Sequence, residues 1–178
     1  MKREHMIDAA VFAALVALAV AVRLVSEVPN FGGVTAAALF AGFYFRDRLI
    51  AVCVPLAIMA ISDQFLGGYD KRVMVAVYGA MLLPLAWRPL LRARLSVARV
   101  ALGAVTCSLA FYLITNAAVW YTWYPHDSAG MLRCFTAALP FFRYTLASDV
   151  VFSALFFGTY GLAAAWRDAK VERLATEG

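Results

Sequence analysis

The chain has 178 residues, 64% of them hydrophobic and only 15% charged, with a mean hydropathy of +0.77 and a formal net charge of +5. This composition excludes an ordinary water-soluble domain and makes lipid the expected solvent. The charges gather in short clusters between apolar runs, as they do at membrane exits, so the positive balance does not argue for nucleic acid.

About 20 apolar residues are needed to cross a hydrocarbon layer of about 30 Å. Six candidate spans are predicted in one transmembrane domain covering residues 1–178, an all-α integral membrane protein. Span one, residues 7–25, follows MKREHMID and is too long for a signal-peptide core, so it is expected to stay as a span. Pro29 and Asn30 stop it. Span two, residues 33–45, is short, and span three, residues 49–66, contains Pro55. Span four, residues 73–87, includes Pro84; span five, residues 97–123, is the longest; span six covers residues 144–166. Between the last two, Tyr124-Pro125 and Pro140 predict breaks around a short extracytoplasmic helix, residues 131–139, a candidate lid.

With six spans both termini share a side. That side collects Lys2, Arg3, Arg46, Arg48, Arg88, Arg92, Arg94, Arg99, Arg167, Lys170 and Arg173, eleven of the 16 basic residues. The positive-inside rule makes it the cytoplasm and the chain a multi-pass protein of the cell (inner) membrane.

Ionisable residues inside spans face protein or a cavity, because exposing them to lipid costs about 2.5 to 3.5 kcal/mol on insertion scales. Arg23, Asp63, Asn116 and Asp149 all fall toward the extracytoplasmic ends of their spans, with Asn30 and Arg143 near them in the outer loops. Helical spacing puts Tyr112, Asn116 and Trp120 on one face and Met59 with Asp63 on another, while Asp149 shares its face with Ser153, Phe156 and Tyr160. The expected substrate-binding set is therefore Arg23, Asn30, Asp63, Tyr112, Asn116, Trp120, Arg143 and Asp149. Such a lining suits a small organic solute. The competing reading pairs Arg23 with Asp63 or Asp149 and satisfies Asn116 across helices.

In span one, Ala9, Ala13, Ala17 and Ala21 form a row on which another helix can pack closely, either a helix of this chain or a partner. Cys53, Cys107 and Cys134 have no C-x-x-C spacing and read as small hydrophobes. His126, Asp127 and Cys134 match no metal-ligand spacing, and no nucleophile with a base is apparent, so neither a metal, a cofactor nor catalysis is expected.

The blocks PNFGGVTAAALFAG, YFRDR, PLAIMAISDQFLG, LITNAAVWYTWYP and GMLRCFTAALPFFRYTLASDVVFSALFFGTY resemble an uncharacterised family of small bacterial membrane transport proteins. That family is in turn similar to the substrate-capture (S) components of energy-coupling factor (ECF) vitamin transporters. The resemblance covers about residues 23–160. It implies a six-helix S-component-like bundle with an outward-facing pocket for a vitamin-like solute, docking through the alanine rows on a transmembrane coupling subunit served by ATPases. The family's usual PNFTP reads PNFGG here, at Pro29 to Gly33. The chain has no Walker motif of its own. Two other classes remain open: an accessory subunit of a larger membrane complex, and a small proton-coupled carrier using Asp63 and Asp149.

Overall fold

A computed structural model describes residues 2–176; the extreme termini, on which the expectation of a shared cytoplasmic side bears, lie outside the described residues. The described chain is all helical: α1 (Lys2–Val25), α2 (Val34–Tyr44), α3 (Arg48–Leu66), α4 (Lys71–Ala80), a 3-10 turn (Leu83–Trp87), α5 (Arg88–Ala93), α6 (Val97–Trp123) and α7 (Ser128–Thr176). Five stretches are long and apolar enough to cross a membrane: Glu4–Val25, Arg48–Leu66, Lys71–Ala93, Val97–Trp123 and Ser128–Leu174. They are compatible with a multi-pass membrane protein.

Expected span two differs. Helix α2 has 11 residues, a rise of about 16 Å, roughly half the hydrocarbon layer. Its residues Val34–Gly42 are all buried, packed on every side by the longer helices. A helix apolar all round belongs inside other protein, and Ala36, Ala37, Ala38 and Ala41 let its neighbours approach closely.

Contacts fix the directions. Arg23 near the end of α1 pairs with Asp63 near the end of α3, so these two helices run parallel. Phe45, just past α2, packs edge-on against Phe12 in the first half of α1, so α2 runs the opposite way. Tyr78 of α4 meets the same Asp63, and α6 and α7 form an antiparallel hairpin closed at Tyr124–Asp127.

The prolines inside the apolar runs act differently from one another. Pro84 interrupts span four as a 3-10 turn, after which the helix resumes and carries the apolar stretch to Ala93. At Pro140 no break occurs: the expected outer helix over residues 131–139 is the first part of the 49-residue α7. Proline removes one backbone donor and frees the carbonyl of Thr136. Nearby, the Tyr112 hydroxyl donates to the Phe135 carbonyl at 2.6 Å, and Tyr112 packs on Phe135 and Phe142. On either side of Pro140, Cys134 meets the Asn116 carbonyl and Asp149 meets Ser108, so the one helix packs on α6 along both of its halves.

Candidate functional site

The segment Ser26–Gly33 joins α1 to α2 without regular structure and carries two left-handed residues, Asn30 (φ 61°) and Gly33 (φ 63°). Asparagine and glycine tolerate that conformation best. Both glycines are also sterically required. A Cβ on Gly32 would sit 2.6 Å from Arg23 Cγ, and one on Gly33 would sit 2.7 Å from Phe152 Cγ. The Thr and Pro that the resemblance would put here are incompatible with this backbone, since proline fixes φ near −65°. The segment thereby folds over the Arg23 side chain.

Below it lies a cavity of about 340 Å³, within the range of small-molecule sites. Arg23, Ser26, Asn30, Tyr69, Thr35, Thr145 and Asp149 supply its polar atoms, and Phe31, Phe111, Met59, Val77 and Met81 much of its apolar wall. Residues from six helices and two loops meet there.

Arg23 is held from behind. Its Nη2 donates to Asp63 Oδ1 at 3.0 Å and its Nη1 contacts the Met59 sulfur. The other Asp63 oxygen accepts from the Tyr78 hydroxyl at 3.0 Å. Both carboxylate oxygens are thus engaged within the protein, and Asp63, which does not line the cavity, acts as the positioner of Arg23. Tyr69, in the loop between α3 and α4, is pushed up to about 12 by burial, with the negative charge of Asp63 adding to it.

Asp149 forms the floor. Its side chain belongs to a fully buried residue, 2% exposed, and accepts from the Ser108 hydroxyl at 2.6 Å. The Thr35 hydroxyl and Ala36 amide also bond to this carboxylate. One residue earlier, the Ser148 hydroxyl accepts from the Gly33 amide at 2.9 Å. Helix α2 has no capping side chain of its own at Gly33. Its N-terminal donors are instead satisfied by Ser148 and Asp149 of α7, a cap supplied across the bundle.

Of the eight residues expected at a binding site, Arg23, Asn30 and Asp149 line this cavity, and Asp63 stands directly behind it. The other four are elsewhere. Tyr112 bonds the Phe135 carbonyl, Asn116 the carbonyl of Tyr112 one turn back, and Trp120 the Pro125 carbonyl, all within the α6–α7 hairpin. Arg143 is exposed and folds over the Tyr144 ring, 4.7 Å from its centroid. The helical face carrying Phe111 and Thr115 turns inward instead of the Tyr112 face, and Phe111 reaches the cavity. His126 stacks on Tyr121, Asp127 accepts from the Gly130 amide, and Cys134 meets the Asn116 carbonyl, so these three have separate partners.

Sequence spacing missed Phe31, Thr35, Thr145, Tyr69 and Ser148. The Gly32-Gly33 pair is the one local signal that marks the cavity roof.

Ala9, Ala13, Ala17 and Ala21 are all exposed, whereas α1 packs through Leu15, Val16 and Ala19. Among the described residues no helix covers the alanine row, which corrects the intramolecular alternative. Cys107 and Cys134 are buried as expected; Cys53 is exposed.

No curated protein matches the chain, and no solved structure does. A family model described as a family of unknown function (DUF6580) matches residues 3–172, nearly the whole sequence. The chain belongs to that family.

Proposed function

We propose that this protein is a membrane-embedded capture subunit that takes a small, partly apolar organic solute from the outer face, in the manner of an S component. In this reading the chain crosses the membrane six times. The second crossing is broken: the extended Ser26–Gly33 segment covers the outer half and α2 the inner half. Irregular backbone at membrane depth is tolerated where it lines a cavity, and such breaks accompany substrate sites in transporters.

The observation that carries the proposal is the cavity itself. Arg23 from α1, Asp149 from α7 and the left-handed turn at Asn30 meet around one hollow. Its aromatic and thioether wall fits an apolar body, and Arg23, Asn30, Tyr69 and Thr145 fit one hydrogen-bonding end. The exposed alanine row suits a helical coupling partner.

That row favours a second reading as well, an accessory subunit with no solute of its own. Mass spectrometry of small molecules retained by the purified protein separates the two. Capture predicts one stoichiometric metabolite that is lost on Arg23→Ala and Asn30→Ala, with the protein still folded. A protein that retains none, and whose Ala13→Leu variant loses its membrane partners while Arg23→Ala changes nothing, is an accessory subunit.

A further inference from the structure

At the opposite end of the bundle a second cavity, of about 310 Å³, opens between α3 and the turn into α5. Arg48 and Arg88 stand on it, and Ala51, Val52, Leu85 and Ala86 form its apolar side. We propose that it binds the phosphate headgroup of an anionic membrane lipid, with the first acyl carbons against that apolar side. The inference rests on the membrane-spanning reading above.

The charge is concentrated. Arg92, Arg48 and Asp47 are the charges near enough to act on Arg88, and Arg46 is in direct contact with it through its carbonyl. The charges of Arg48, Arg88 and Arg92 therefore outnumber that of Asp47, and an oxygen of Asp47 is already taken by the Leu49 amide at 2.7 Å. Arg88 is fixed in place: its Nη1 donates to the carbonyls of Gly42 at 3.1 Å and Phe45 at 2.7 Å, and its Nη2 to that of Arg46. These bonds cap the C-terminal end of α2 and hold one guanidinium rigidly at the cavity edge, while the exposed Arg48 side chain is free to close on a ligand.

The pairing of planar guanidinium groups with an apolar wall selects an amphiphile. Guanidinium groups bind phosphate oxygens bidentately, and basic pockets between helices at the inner face suit anionic headgroups. Free phosphate would use the arginines and leave the apolar wall unmatched.

The test is native mass spectrometry of the full chain from nanodiscs holding equal phosphatidylglycerol and phosphatidylcholine. Assembly in nanodiscs reports the membrane-spanning reading independently of headgroup choice. We expect phosphatidylglycerol to be retained preferentially, the preference to fall about fivefold in Arg48→Gln and by less in Arg48→Lys, which keeps the charge but not the planar fork, and the outer-face control Arg72→Gln to keep it. Equal preference in the wild type and Arg48→Gln would overturn the proposal. So would displacement of the lipid by millimolar inorganic phosphate, which would make a free anion the ligand. If Arg48→Gln does not assemble, Arg92→Gln serves in its place, with the same loss expected and an unchanged preference counting against the site.

Discussion

Asp63 illustrates how an ionisable residue inside an apolar helix can shape a cavity that it does not line. Its two oxygens hold Arg23 and Tyr78, and the Arg23 side chain, 17% exposed, is left facing the cavity. Removing one member of a buried pair strands the other charge. Asp63→Ala should therefore lower stability by about 3 kcal/mol, the low end of that range because Arg23 reaches cavity water, whereas Asp63→Asn keeps a bond to each partner and should lose less. Thermal unfolding in detergent reads the difference. Tyr69 gives a pH signature. Its folded-state pKa of about 12 lies above the ordinary value of 10, so its contribution to stability is complete below pH 10 and is lost as pH rises toward 12. Tyrosinate absorbance should show a late-titrating component that Tyr69→Phe deletes; a single transition near pH 10 in the wild type would refute the assignment.

At the level of elements, α2 depends on others for both of its ends. Ser148 and Asp149 cap its N-terminus, and Arg88 caps its C-terminus. A short apolar helix carries unsatisfied donors and acceptors at its ends that lipid cannot serve, so these distant side chains are what let it sit at the centre of the bundle. Asp149→Ala should cost about 1 to 2 kcal/mol as a lost cap and speed hydrogen exchange at the first turn of α2, with Asp149→Asn largely preserving protection. Fast exchange confined to α7 would show that the cap is not what Asp149 supplies. This dependence was invisible in the sequence. The apolar runs, their order and the gathering of Arg23, Asp63 and Asp149 toward one end of the bundle were legible because long apolar helices leave a strong compositional signal. The roles of Ser148 and Thr35 were not, because a cap supplied across the bundle has no local spacing. Pro140 shows the same limit: proline marks a lost hydrogen bond, but whether the helix breaks there or runs through, as α7 does, is not written in the local sequence. Helical periodicity did place Tyr112, Asn116 and Trp120 on one face; which face turns inward is decided by the α6–α7 packing.

For the molecule as a whole, the two ends are chemically distinct. One end carries the larger cavity, roofed by Asn30 to Gly33; the other carries the arginines around Arg88. The parallel course of α1 and α3 requires the chain between them to return, and only Ser26–Gly33 followed by α2 is available to do so. The proposed capture role therefore requires Ser26–Gly33 and α2 to make a second, broken crossing. Its most direct test is labelling with a membrane-impermeant thiol reagent in a variant lacking Cys53, Cys107 and Cys134, with single cysteines at Asn30, Arg46, Asp70 and Arg94. Labelling of the Asn30 and Asp70 positions from the outer face and of the Arg46 and Arg94 positions only from the inner face is the predicted result; labelling of the Asn30 and Arg46 positions from the same face would contradict it.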